Sequence, residues 1–155
     1  MNATFIHTGM NKTYLQNAEF NRLDTRLYVC GGYCGPANLT HAHLEHAHVF
    51  GADFRFVDMS NIKLNYALLT DSNFYATNMT NADLYRADLT DATIAFAFLT
   101  DADFTYADLT NANLRFSDLT NADFHFATVT NSDFAATTWS NTIWTDGVAY
   151  NTNQG

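Results

Sequence analysis

From residue 37 onward the chain places a large apolar side chain at every fifth position: Leu39, Leu44, Val49, Phe54, Met59, Leu64, Leu69, Phe74, Met79, Leu84, Leu89, Ile94, Leu99, Phe104, Leu109, Leu114, Leu119, Phe124, Val129, Phe134, Trp139 and Trp144. Two residues before each sits a small or β-branched residue, most often alanine. A period of five is neither the 3.6 of an α-helix nor the unbroken period of two of a strand. Apolar residues at i and i+2 share one face of a short extended segment, so each unit reads as one inward-facing side followed by a polar corner. Such a unit cannot bury its apolar pair alone. Coils must therefore stack and fill a shared core, which predicts a solenoid.

The corners alternate with a ten-residue super-period. One set carries Thr or Ser followed by Asn or Asp, as at Ser60-Asn61, Thr80-Asn81, Thr100-Asp101 and Thr120-Asn121. Asn in the second place suits a type II turn, which needs φ > 0 there. The intervening corners carry Asn65-Tyr66, Tyr85-Arg86, Ala95-Phe96, Thr105-Tyr106, Arg115-Phe116 and His125-Phe126. Those residues fit a left-handed conformation poorly, so two turn types are expected to alternate around each coil.

The recurring Ala-Asp/Asn-Leu/Phe-x-x, as in Ala82-Asp83-Leu84, Ala87-Asp88-Leu89, Ala102-Asp103-Phe104 and Ala107-Asp108-Leu109, resembles the pentapeptide-repeat family over residues 37–144. The resemblance implies an all-β fold, a right-handed quadrilateral β-helix with four repeats per coil. Positions 20 apart then stack, which puts Phe104, Phe124 and Trp144 in one core column. It puts Phe54, Phe74, Ile94, Leu114 and Phe134 in another.

A single domain is expected, divided into irregular repeats over 1–36, the regular β-helix over 37–144 and a polar tail over 145–155. Phe5, Met10, Leu15 and Phe20 carry the same repeat in a shifted register. Residues 23–36 either restore the later register through a four-residue unit or form a protruding loop. Gly31-Gly32 and Gly35-Pro36 favour the loop. The tail, rich in Asn and Thr, is expected to cover the last coil and then fray.

Charge narrows the partners. Lys and Arg total 7 against 16 Asp and Glu, a formal net charge of -9. Direct nucleic-acid binding is not expected, because neutralising phosphates needs clustered cations. No stretch has the length and apolarity of a transmembrane helix, and the first residues lack a basic region followed by an apolar run. No membrane association is expected, and cytoplasmic location is the default. Cys30 and Cys34 are spaced as neither a zinc ribbon nor a thioredoxin motif, and Cys34 reads as a small apolar packing residue.

His41, His43, His46 and His48, with Glu45 between them, are the candidate metal ligands. Zinc needs ligands that converge tetrahedrally, whereas these side chains are expected to point outward from neighbouring sides as solvated corners. No metal or cofactor is expected. His125 has Asp123 nearby but no evident nucleophile, and the many Asp side chains lack the burial that raises a carboxyl pKa, so no enzyme is expected.

The surface carries the functional expectations. Stacking at 20 residues aligns Asp83, Asp103 and Asp123 on one side and Asp88 and Asp108 on the next. It also aligns Phe96 with Phe116 and Tyr106 with Phe126 at outer corners. Exposed aromatic patches mark interfaces. The expected function is thus a non-enzymatic binding rod that presents acidic and aromatic faces to a protein partner, a second copy of the chain among the candidates. The family resemblance implies a sharper alternative. Several members, the quinolone-resistance proteins among them, are acidic rods that imitate duplex DNA and occupy DNA gyrase, a type II topoisomerase. Magnitude weighs against it: a rod of roughly 35 Å compares with duplex DNA carrying about 20 charges, twice the net -9.

Overall fold

The structure is a computed structural model that describes the backbone of Glu19–Asn21 and residues 38–153. Parallel bridges link residues 20 apart along the whole of the regular region, from Asn38 with Asp58 to Asp123 with Ile143. One coil is therefore four repeats, and the chain winds as a right-handed quadrilateral β-helix. Side one is centred on Leu39 and the residues stacked above it, side two on Leu44, side three on Val49 and side four on Phe54. Each corner is numbered after the side it follows. No helix among the described residues is long and apolar enough to cross a membrane.

Hydrogen bonding explains why five residues suffice for a side and a corner. In the repeat 82–86, Ala82 N–H donates to Met79 O across the turn, and Asp83 N–H donates to Ile62 O in the coil below. Leu84 and Arg86 N–H donate to Asp103 O and Thr105 O in the coil above. The fifth donor, Tyr85 N–H, is taken by Asp83 Oδ1 at 3.2 Å. All five amides are satisfied, as buried backbone requires. The Asp or Asn of the repeat is thus part of the backbone accounting.

The expected alternation of turn types is not found. Every fifth residue from His41 to Asn141 has φ between 53° and 64°, at the aromatic and arginine corners as much as at the Asn and Asp corners. The same turn bond closes both kinds, Ala67 N–H to Leu64 O at one and Ala82 N–H to Met79 O at the other. The ladder between coils fixes the backbone and overrides local preference: Tyr66 N–H donates to Tyr85 O at 2.9 Å only if Tyr66 turns left-handed. Each such residue costs about 1 kcal/mol or more. No Val, Ile or Thr occupies any of these places. Asn111→Val is accordingly expected to destabilise the rod by about 1–2 kcal/mol, measured by chemical denaturation. The change leaves the core untouched.

Two side chains per side point inward, and four sides share a narrow interior, so the inner pair must be one large and one small. The large residues form continuous columns. Phe54 stacks on Phe74 at 5.1 Å, and Phe104 on Phe124 at 4.7 Å, all four with no exposed surface. Ile94, Leu114 and Phe134 continue the first column, and Trp144 lies 5.8 Å from Phe124 at the top of the second. Ser72 and Ser117 take the place of the small residue and are wholly interior. Ser117 Oγ donates to Ile94 O and accepts from Ala97 N–H, bridging the turn of the coil below, and Ser72 does the same for Val49 and Ala52.

At the lower end β1 (Glu19–Asn21) pairs in parallel with β2 (His48–Phe50), with Phe20 opposite Val49. A repeat-centre residue thus meets a repeat-centre residue, but across 29 positions rather than 20. Phe5, Met10, Leu15, Cys30, Cys34 and the choice between loop and register shift at 23–36 lie outside the described residues. At the upper end β3 (Thr142–Ile143) pairs antiparallel with β4 (Ala149–Tyr150), forming a hairpin that folds back over the last coil. Its turn contains Asp146-Gly147. Gly147 has φ of 78° and lies against His125, where a Cβ would fall 2.8 Å from Nε2.

Candidate functional site

Among the described residues no group of three His, Cys, Asp or Glu side chains converges as a metal site. His43 Nδ1 hydrogen-bonds Glu45 Oε1 at 2.8 Å, while His46 stacks on Tyr66 at 4.8 Å. His41, His46 and His48 are exposed and His43 is half-buried. Glu45 Oε2 is buried without a hydrogen-bond partner. His125 lies against Phe126, ring centroids 3.7 Å apart, and its backbone N–H donates to Asp123 Oδ1 at 2.8 Å. Asp123 therefore serves the backbone of residue 125 and leaves the imidazole without a carboxylate orienter from that side.

The acidic columns form as the stacking rule requires: Asp83 bridges to Asp103, Asp103 to Asp123, and Asp88 to Asp108. Their carboxylates are half-buried, not the free solvent-facing groups the sequence suggested. Asp103 Oδ1 accepts from Thr105 N–H at 2.8 Å, Asp108 Oδ1 from Thr110 N–H at 2.9 Å, and Asp88 Oδ1 from Thr90 N–H at 3.0 Å. At the bottom of the column Lys63 Nζ lies 3.3 Å from Asp83 Oδ2. Each carboxylate thus does a turn's work with Oδ1, while Oδ2 meets Lys63 in Asp83 and accepts from the Thr70 hydroxyl at 3.4 Å in Asp88.

Aromatic rings line two edges of the rod, at corners two and four, which face away from each other across the quadrilateral. At corner four Phe56, Tyr75, Phe96 and Phe116 follow one another with centroids 5.7, 5.2 and 4.8 Å apart. At corner two His46, Tyr66, Tyr85, Tyr106 and Phe126 do the same at 4.8, 5.6, 5.8 and 4.8 Å. Arg86 lies over three of those rings, 5.2 Å from the centroid of Tyr106 and 5.4 Å from that of Tyr85. The structure brings together Phe96 with Phe116 and Tyr106 with Phe126, the pairs the sequence pointed to, and extends both into ladders.

The extension was hidden by a change of place within the corner. Where the second corner residue is Ala76 or Arg86, the residue before it is Tyr75 or Tyr85, and its ring fills the rung. A search at fixed intervals of 20 passes over both. Phe98, on side one beside corner four, is 57% exposed and occupies the place that Asp or Asn holds in neighbouring coils. That substitution is a sequence signal in its own right.

Ionisation ties part of this surface to stability. Asp133 is held below the usual carboxylate range by the Ala135 N–H and then by the hydrogen bond and charge of Arg115. A group depressed in the folded state contributes stability above its unfolded pKa and loses it as pH falls through the folded value. The denaturation midpoint is therefore expected to drop as pH is lowered from about 5 to about 2. Asp133→Asn makes that drop shallower.

A four-sided solenoid wound from five-residue units, its surface a set of stacked corner ladders, defines the class: a pentapeptide-repeat rod. The family model for pentapeptide repeats matches the chain with 8 copies, covering residues 37–65, 52–91, 67–105 and 97–134. The chain belongs to the pentapeptide-repeat family.

Among solved structures it is similar to HetL, a pentapeptide-repeat protein involved in heterocyst differentiation regulation from the cyanobacterium Nostoc. The two are 27% identical with a TM-score of 0.43, over 92% of this chain and 63% of that one. It is also similar to full-length QnrB1, a plasmid-mediated fluoroquinolone resistance protein, with 16% identity and a TM-score of 0.37, over 89% of this chain and 82% of that one. A third is Rfr23 from the cyanobacterium Cyanothece, with 22% identity and a TM-score of 0.35, over 91% of this chain and 90% of that one. The chain thus spans less than two thirds of the length of HetL. A search of curated protein sequences returns no match.

Proposed function

We propose that the chain is a non-enzymatic binding rod, acting in the cytoplasm, that presents its acidic columns and aromatic edges to a protein partner. The observation that carries this reading is the exposure of the rings. Phe56, Phe96, Phe116, Tyr106 and Phe126 are 44–54% exposed although they are stacked in ladders. Stacking along the rod accounts for their order but leaves their outer rims in water. A continuous aromatic edge of this kind is the composition of an interface core.

The test is capture from lysate on immobilised full-length chain, with Tyr106→Ser/Phe126→Ser and Asp83→Asn/Asp103→Asn/Asp123→Asn variants alongside. A partner retained by the wild type and lost with the Ser variant supports the reading. Identical captured sets on all three surfaces overturn it.

A second reading, mimicry of duplex DNA toward a type II topoisomerase such as gyrase, is favoured by one feature. Asp83, Asp103 and Asp123 stand in parallel register on a single side, Asp88 and Asp108 follow on the next, and the outer oxygens of Asp103, Asp123 and Asp108 carry no hydrogen bond among the described residues. It predicts inhibition of gyrase supercoiling at micromolar protein, weakened by the Asn variant. No inhibition and no relief of quinolone poisoning would dispose of it.

A further inference from the structure

The two aromatic edges differ in their flanks, and the difference points to separate occupants. Corner two runs between the acidic columns of sides two and three. Corner four is bounded by a motif that occurs twice, three coils apart: Arg55-Phe56-Val57-Asp58 below and Arg115-Phe116-Ser117-Asp118 above. In each, an exposed Phe forms the edge, an Arg flanks it on side four and an Asp flanks it on side one. Between the two motifs the edge carries no charge, being Tyr75-Ala76-Thr77-Asn78 and Ala95-Phe96-Ala97-Phe98.

We propose that corner four is a self-association surface, on which a second copy of this chain docks side by side with its rod parallel to the first. The proposal rests on the reading above only in treating exposed rings as contacts. It gives one edge to a second copy and leaves corner two to a different partner.

Symmetry selects the occupant and its direction. Two rods related by a two-fold axis parallel to their length bring corner four against corner four, with side four of each copy facing side one of the other at the same level. Arg115 of one copy then meets Asp118 of the other, and the pair forms twice, as an isologous contact requires; at the lower level Arg55, held by Asp53 at 2.7 Å, comes level with Asp58. Antiparallel rods instead bring side four onto side four with the levels reversed, setting Arg55 against Arg115. Charge complementarity therefore favours the parallel pair.

The upper pair carries the contact. Arg115 donates through Nη1 to Asp133 at 3.0 Å and lies over the Phe116 ring, and its side chain remains 43% exposed. Asp118 accepts from both the amide and the hydroxyl of Thr120 through Oδ1. The rings repeat at the coil spacing of about 4.8 Å, and a second copy presents the same spacing, so every rung finds an equivalent rung.

Size sets the strength. Phe56, Phe96, Phe98 and Phe116 are 44–57% exposed, and with aromatic side chains of roughly 200 Å² each they offer about 400 Å² per copy. With the charged flanks added, the contact approaches the lower bound of about 1,000 Å² in total for a specific interface. A contact of this size is that of a weak, concentration-dependent dimer.

Sedimentation velocity on the full-length chain, over a series reaching a few hundred micromolar, tests it. The wild type is expected to dimerise with rising concentration, and Phe96→Ser/Phe116→Ser to remain monomeric with an unchanged far-UV spectrum. Arg115→Glu and Asp118→Lys alone each juxtapose like charges across the axis and are expected to weaken the dimer about fivefold or more. Mixed together, those two variants regain complementary pairs and are expected to form a heterodimer near wild-type strength. A wild type that stays monomeric overturns the proposal. So does a dimer indifferent to the Phe changes, or one whose charge variants fail to rescue each other on mixing. None of these results touches corner two, so the partner reading is judged separately by the Tyr106 and Phe126 variant.

Discussion

Replacement of Phe124 by alanine is expected to lower the unfolding free energy by about 3–5 kcal/mol. Phe124 has no exposed surface. Its ring lies on Phe104 at 4.7 Å with the planes 3° apart, meets Phe134 edge-on at 5.7 Å, and touches Trp144 at 5.8 Å. Truncation therefore removes a rung of the core column and the seat on which the upper hairpin rests. The cavity cannot be filled by collapse, because the ladder between coils holds the backbone at a fixed spacing. In a solenoid each coil contacts only its neighbours, so the damage should appear as early loss of the upper coils. Denaturation followed by tryptophan fluorescence, which reports Trp139 and Trp144, is expected to shift further than far-UV circular dichroism. Coincident shifts would show that the rod unfolds as one unit.

The second large effect separates charge from geometry in the acidic column. Changing Asp83, Asp103 and Asp123 together to alanine is expected to destabilise the rod by about 2–3 kcal/mol, since each loses a turn hydrogen bond worth about 1 kcal/mol. The same three changed to asparagine are expected to leave stability unaltered or to raise it by up to about 1 kcal/mol as like charges one coil apart are relieved. The chain itself shows that Asn can do the work. Asn73 Oδ1 accepts from Tyr75 N–H at 3.0 Å, and Asn113 Oδ1 from Arg115 N–H at 3.1 Å. Denaturation midpoints of the two triple variants check it. If the Asn variant falls as far as the Ala variant, the carboxylate charge and not the turn bond is what the column supplies. The comparison also licenses Asn variants in binding experiments, where a fold defect would otherwise be confused with lost charge.

The core was legible because its rule is local. A large residue every five and a small one two before it place Phe54, Phe74, Phe104 and Phe124 inside whatever else the chain does, and the structure puts them there. The corners were legible in position but not in conformation. Propensity reserves left-handed backbone for Asn, Asp and Gly, yet Phe96, Phe116 and Tyr106 have φ of 59–61°. Their amides are pulled to the coil above by bonds such as Phe96 N–H to Arg115 O at 2.9 Å. Two rungs of each aromatic ladder were legible, Phe96 with Phe116 and Tyr106 with Phe126. Tyr75 and Tyr85 were not, because they reach their rung from the neighbouring corner place.

By itself the sequence determined the repeat, its inward and outward positions and therefore the columns that stacking creates, since a strict five-residue period leaves one way to bury its apolar pairs. Only the tertiary structure decided how the outward residues are used. It turned the Asp columns into turn caps, because a first-corner amide facing no carbonyl of the next coil must find an acceptor beside it. It also joined rings from different corner places into continuous edges, because side chains on adjacent coils lie within reach of each other whichever residue carries them.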